Sequence, residues 1–184
     1  MLKPSLQTNA CTNADDNAAI MILKQLVSPS RVLCNVHARS KKHSLEILSE
    51  LLSSPNSDIA NEDIFSKLMA RERLGCTSLE KGIAFPHCRI PGVQNNCGAL
   101  MKLSEPVDFD SADGVSIDLI FGLILPSELN DNHYADIDII TKFLNTDALT
   151  AKLRSANSSS ALYEALLTGH VPVTTKIRSV QSTL

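Results

Sequence analysis

One short stretch gathers most of the side chains able to do chemistry: Lys81-Gly82-Ile83-Ala84-Phe85-Pro86-His87-Cys88-Arg89. Pro86 fixes its own φ and pushes Phe85 into an extended conformation. Ile83, Ala84 and Phe85 therefore read as the end of a strand pinned into the core. His87 follows where that strand leaves the core, and Arg89 supplies a permanent positive charge nearby. An imidazole so placed could be a nucleophile, a proton shuttle or a metal ligand. It could equally be an ordinary, partly exposed loop histidine.

Two further places hold candidates. Arg71, Glu72 and Arg73 lie in the last turn of a predicted helix over Asn61–Leu74, closed by Gly75 as a glycine beyond its C-terminus. Arginines there suit the negative end of the helix dipole without any further role. His133 falls in the first turn of a helix opened by Asn130 or Asp131, where unpaired backbone N–H groups collect. By position alone it is a solvated histidine.

The elements that must hold these groups follow from hydrophobic spacing. Residues 1–18 are polar and aperiodic, and read as a loose lead-in. Ile20 to Leu26 suggest one or two helical turns, stopped by Ser28-Pro29-Ser30. Val32–Val36 is a candidate first strand. Leu45, Leu48, Leu51 and Leu52 recur at helical spacing behind Ser40, a plausible N-cap. Ile64, Phe65, Leu68 and Met69 stripe the second helix. Gly98–Leu103 reads as a strand, Glu105-Pro106 as a turn, and Asp113-Gly114 as a tight turn. Ile117–Leu125 is nearly all apolar and suits a strand buried on both faces. Ile137, Ile140, Phe143 and Leu144 face inward on the third long helix. Two short helices follow, over Asp147–Arg154 and about Ser160–Leu167, and the chain from His170 onward reads as a tail. This alternation predicts an α/β layered domain.

Bulk properties narrow the function classes. The 184 residues are 43% hydrophobic and 20% charged, enough for one domain with a full core. A formal net charge of −3 offers no general attraction for nucleic acid. No segment approaches the roughly 20 apolar residues that span a bilayer, and no apolar block of signal-peptide length opens the chain. The five cysteines (11, 34, 76, 88 and 97) are odd in number and contain no Cys-x-x-Cys pair. Reduced thiols in a cytoplasmic protein are the simplest expectation. Cys76, His87, Cys88 and Cys97 share a short segment without recognisable zinc spacing.

Gly82-Ile83-Ala84-Phe85-Pro86-His87-Cys88-Arg89 resembles the Gly-Ile-Ala-hydrophobic-Pro-His-Gly-Arg signature of the enzyme IIA proteins of the bacterial phosphotransferase system, fructose/mannitol type, and its nitrogen-related branch. Other segments match in order. Ala70-Arg71-Glu72-Arg73-Leu74-Gly75-Cys76-Thr77 looks like the Arg-Glu-x-x-x-(Ser/Thr)-Thr segment, and Glu105-Pro106-Val107-Asp108-Phe109 like the family's Pro-Val-Asp-Phe. His133 stands in the place of an Asp/Asn-Glu-His histidine. The resemblance spans roughly residues 20–167. It implies an α/β fold with a mixed, mostly parallel sheet flanked by helices in three layers. It divides the chain into a leading segment (1–18), one domain (19–169) and a tail (170–184).

The resemblance also implies a mechanism. His87 would accept a phosphoryl group from an upstream HPr- or NPr-like phosphohistidine carrier. Arg71 would be the fixed cation beside it, His133 would orient or stabilise the phosphoryl group by hydrogen bonding, and Thr77 and Arg89 would hold phosphoryl oxygens. No cofactor or metal is implied. Downstream, the phosphorylation state would control transporters or sensor kinases, the outcome favoured by the resemblance of Gly98-Ala99-Leu100 and Glu105-Pro106-Val107-Asp108-Phe109-Asp110 to the nitrogen-related branch. The alternatives are passage of phosphate to a sugar-specific IIB component, or a binding module that has lost phosphotransfer. Cys88 departs from the signature's glycine. If that glycine needs a positive φ, Cys88 is strained, and its thiol beside Arg89 could be acidic enough to gate His87 by oxidation. Tyr134, Asp136 and Asp138 also depart from a helix that is usually richer in leucine.

Overall fold

A computed structural model describes residues 12–53 and 59–169. The expected tail, and the lead-in up to residue 11, lie outside the described residues. Eleven elements follow one another among those described: α1 (Thr12–Leu26), β1 (Val27–Val36), α2 (Lys41–Leu52), α3 (Asn61–Leu74), β2 (Ile83–Ala84), β3 (His87–Ile90), β4 (Cys97–Val107), β5 (Ile117–Pro126), α4 (Asp131–Leu144), α5 (Asp147–Ser155) and α6 (Ser159–Thr168).

The strands form one mixed sheet in the order β1-β4-β5-β2, with β3 also paired to β5. β1 runs parallel to β4, β4 antiparallel to β5, and β2 and β3 parallel to β5. β5 is the apolar run singled out in the sequence, and it is buried on both faces. Leu119, Phe121, Leu123 and Leu125 point into a core shared with α1, α4, α5 and α6. Ile120 and Ile124 point the other way, toward Leu45, Leu48 and Leu52 of α2 and Ile64 and Leu68 of α3. A three-layer α/β domain results, with the sheet between two helical layers. Gly122 allows the close approach of α2, since a Cβ there would lie 2.6 Å from Leu48 Cδ1.

Several elements differ from expectation for physical reasons. Helix α1 begins at Thr12 rather than near Ile20, and it buries Ala19, Leu23 and Leu26. β1 runs through Ser28-Pro29-Ser30, because it lies at the edge of the sheet where a proline forfeits no ladder bond, and its register shifts between Val27 and Val32. β4 continues through Glu105-Pro106 with a register shift between Lys102 and Val107. Gly75 is extended (φ 160°) rather than left-handed. The end of α3 is closed instead by the Gly75 N–H donating to Glu72 O (3.2 Å) and by Arg71 Nη1 donating to Gly75 O (3.0 Å). The Ser40 N-cap holds, its hydroxyl accepting from the His43 N–H at 3.1 Å.

Candidate functional site

The Pro86 segment does not end a strand; it interrupts one. β2 and β3 are two pieces of a single edge strand along β5, joined through Pro86, whose carbonyl accepts from Leu123 N–H at 3.0 Å. His87 therefore heads β3 and is half-buried rather than lying in a loop. Residues 77–85 fold back on themselves in front of it. Phe85 N–H donates to Thr77 O and Leu79 N–H to Ile83 O, both at 2.8 Å. The turn needs left-handed backbone at Lys81 (φ 62°) and Gly82 (φ 80°). At Gly82 a Cβ would also meet Arg154 Nη2 at 2.8 Å and Ser116 O at 3.1 Å, so glycine is required twice over.

The His87 ring is held from two sides. Its Nδ1 lies 2.9 Å from Phe85 O. Its face is tilted 47° to the Phe85 ring at a centroid distance of 5.2 Å, and Phe85 in turn packs on Phe121 at 5.7 Å. A carbonyl oxygen can only accept, so Nδ1 carries the ring proton and Nε2 the free lone pair. Burial lowers the His87 pKa below its usual value of 6.5; the Phe85 carbonyl opposes this, while the charges of Arg71 and Arg89 lower it further.

At this sheet edge the two helical layers overhang to form an open pocket of about 440 Å³. Lys67, Ala70, Arg71 and Leu74 of α3 form one wall, and Tyr134 and Ile137 of α4 the other, with Leu125 and Leu129 between them. His87, Cys88 and Arg89 of β3 complete it. Three cations and no carboxylate line the pocket. Leu74 and Tyr134 leave 86% and 54% of their surface in solvent and give the pocket an apolar rim. The structure thus brings His87, Arg71 and Arg89 together.

Thr77 and His133 do not line this pocket. Thr77 is buried, and its hydroxyl donates to Glu72 Oε2 at 2.6 Å while its N–H donates to the same oxygen at 3.1 Å. A buried carboxylate demands such donors, and Glu72 Oε1 has Lys41 Nζ at 3.5 Å. His133 forms a capping box at the start of α4. Its Nδ1 accepts from Asn130 N–H, and its own N–H donates to Asn130 Oδ1, both at 3.1 Å. That geometry turns the residue to a separate polar hollow shared with Gln25, Asn96 and Asp136.

Cys88 also differs from expectation. Its φ is not among the positive values, so a side chain in place of glycine brings no backbone strain there. The thiol is buried, and burial outweighs the pull of Lys67 and pushes its pKa up to about 12. Burial thus shifts the thiol in the direction opposite to the acidic thiolate expected beside Arg89. Among the described residues no group of three or more His, Cys, Asp or Glu side chains is placed to hold a metal ion. No described helix is long and apolar enough to cross a membrane.

Sequence reasoning missed Lys67 and the apolar walls of the pocket. Lys67 had a signal: it stands four residues before Arg71, on the same face of α3. The walls had none, because Leu125 and Ile137 read as ordinary core residues until the sheet edge brings them beside His87.

Residues 25–168 match the family model described as "Phosphoenolpyruvate-dependent sugar phosphotransferase system, EIIA 2". A nitrogen regulatory protein of Pseudomonas aeruginosa is 38% identical over 145 residues, covering 79% of this chain and 94% of that protein. The crystal structure of the nitrogen regulatory protein IIA-Ntr of Neisseria meningitidis superposes with a TM-score of 0.72 at 31% identity, over 79% of this chain and 99% of the other. The mannitol IIA of Escherichia coli shares the fold, with a TM-score of 0.62 at 20% identity over 76% of this chain and 98% of the other. The motif around His87, the three-layer fold and these likenesses lead to one assignment: the chain belongs to the EIIA 2 family of the phosphotransferase system, alongside its nitrogen regulatory proteins.

Proposed function

We propose that this protein is a regulatory phosphocarrier that takes a phosphoryl group on His87 Nε2. The observation that carries the reading is the hydrogen bond from His87 Nδ1–H to Phe85 O, in a ring that lines a pocket of three cations. It fixes the tautomer so that Nε2 is the nucleophile. The Nε2 lone pair forms the new N–P bond while the donor's P–N bond breaks and its electron pair returns to the donor imidazole. Retaining the Nδ1 proton leaves the phosphorylated ring formally positive, which keeps the phosphoryl group labile for onward transfer. Transfer of this kind passes through a loose transition state, so the protein contributes mainly position and charge.

Arg71 and Arg89 supply charge in this scheme. Thr77 and His133 act at one remove. Thr77 ties the segment before His87 to α3, its carbonyl accepting from Phe85 N–H and its hydroxyl donating to Glu72, and His133 fixes the start of the helix that carries Tyr134 and Ile137. The donor is an HPr- or NPr-like phosphohistidine carrier, and the readout is altered binding to a transporter or sensor kinase. The likeness to nitrogen regulatory proteins favours this regulatory role over sugar transport.

The test is incubation with phosphoenolpyruvate and the upstream carriers, followed by intact mass and phosphopeptide mapping. One phosphoryl group on His87, absent from His87→Ala, is expected. A label on another residue overturns the assignment. A pull-down comparing His87→Ala with His87→Asp then separates partners that sense phosphorylation from those that do not.

A further inference from the structure

Three cations line the His87 pocket, and they differ in how far they are already engaged. Arg71 donates Nη1 to Gly75 O, so part of its guanidinium is tied to the end of α3. Arg89 is exposed on β3, on the same side of the strand as His87 by the two-residue alternation. Lys67 lies one helical turn before Arg71 and faces the same pocket. Among the described residues the side chains of Lys67 and Arg89 have no hydrogen bond or ion pair, whereas Lys41, Lys81, Lys142 and Arg154 are all matched to carboxylates. The Lys67 charge reaches β3, where it acts on the Cys88 thiol next to His87. An uncompensated ammonium at a largely apolar pocket lacks an anion.

A phosphoryl group brings about −2 charge at neutral pH and three strong acceptor oxygens. We propose that Lys67 is a further phosphoryl-binding residue, its ammonium neutralising the group carried by His87 together with Arg71 and Arg89. The inference rests on the phosphocarrier reading above. An ammonium is a mobile point charge on a long stem, so Lys67 can follow the phosphoryl group where the anchored Arg71 cannot.

The alternative role for Lys67 is attraction of an acidic protein donor. Phosphoramidate, a small donor with no surface to steer, separates the two. His87 Nε2 forms the N–P bond, the P–N bond of phosphoramidate breaks, and its electron pair leaves on ammonia. With phosphoramidate, Lys67→Ala is expected to label His87 several-fold more slowly than the wild type. Lys67→Arg is expected to restore most of the rate. The ³¹P resonance of the phosphorylated Lys67→Ala protein is expected to titrate at higher pH than that of the wild type. A merely structural lysine would move none of these while the melting temperature stayed constant. Wild-type labelling rates and an unmoved ³¹P titration in Lys67→Ala would overturn the inference, including the case in which only the protein donor is slowed. A wild-type protein that takes no phosphoryl group on His87 from either donor would instead sink the phosphocarrier reading itself.

Discussion

The Nδ1 atom of His87 lies 2.9 Å from the carbonyl oxygen of Phe85, across the proline that joins the two pieces of the edge strand. The contact assigns the proton to Nδ1 in the neutral ring. It also opposes, without overcoming, the burial and the neighbouring arginines that lower the His87 pKa. The folded protein thus binds the second ring proton, at Nε2, at lower pH than the unfolded chain, whose histidine titrates near 6.5. The resulting stability is fully present above the unfolded pKa and is lost as pH falls below it. Urea unfolding at pH 7.5 and 5.5 should therefore show a smaller acid loss for His87→Gln than for the wild type. Equal losses would mean that the ring titrates as it does in the unfolded chain.

Arg71 serves two structures at once, the C-terminal end of α3 and the His87 pocket. An arginine that only complements a helix dipole is worth about 0.3–1 kcal/mol and has no bearing on transfer. Arg71→Ala is expected to slow phosphorylation by roughly tenfold, as loss of one charge-stabilising contact of about 1.4 kcal/mol would, with stability changed by no more than the dipole figure. Initial rates from a phosphorylated carrier, set beside urea midpoints, check this. Unchanged rates would return Arg71 to the helix end alone.

Periodicity made the layers legible. The leucines of α2, the stripe of α3 and the unbroken apolar β5 predict a covered sheet, and that sheet is present. Local signals failed where the sheet edge overrode them. Pro29 and Pro106 look like breakers, yet both lie in strands, Pro29 where an edge strand forgoes its ladder bond and Pro106 beside a register shift. At the site, the motif exposed His87, Arg71 and Arg89. It could not distinguish side chains that line the pocket from Thr77 and His133, whose polar atoms turn to Glu72 and Asn130. Those partners are set by tertiary and capping geometry, which spacing along the chain does not record.

Glu72 is the buried anchor behind the site. Its Oε2 satisfies both the N–H and the hydroxyl of Thr77, and Thr77 O in turn receives Phe85 N–H. Glu72→Ala strands two buried donors, each costing about 1–3 kcal/mol. Thr77→Val removes the hydroxyl but leaves Glu72 Oε2 accepting from the backbone N–H of residue 77. Glu72→Ala should thus be the more destabilised in urea. It should also slow phosphorylation, because the strap before His87 loosens. A Glu72→Ala protein as stable as the wild type would show that the carboxylate holds nothing.

The capping box of α4 gives His133 a role that does not need the phosphoryl group. Loss of an Asn N-cap costs about 1 kcal/mol, and the two reciprocal bonds between Asn130 and His133 belong to one motif. Asn130→Ala and His133→Ala should each destabilise the protein, and the double variant should cost less than their sum. Both single variants should still accept a phosphoryl group from the carrier. A His133→Ala protein of full stability that fails to accept it would place that ring in the chemistry instead.

Cys88 and Cys76 offer opposed thiols within one small region. Cys88 is buried behind His87 with its pKa pushed up to about 12, so almost none of it is thiolate at neutral pH. Cys76 is exposed. Iodoacetamide at pH 7.5 should alkylate Cys76 well before Cys88 in the folded protein, and in 8 M urea the two rates should converge. Peptide mapping over time measures both. The thiol neighbouring His87 acts as a small apolar wall, so Cys88→Ala should keep the phosphorylation rate under reducing and mildly oxidising conditions alike. Fast labelling of Cys88 in the folded state, or an oxidant effect on phosphorylation that disappears in Cys88→Ala, would reinstate a redox gate at this position.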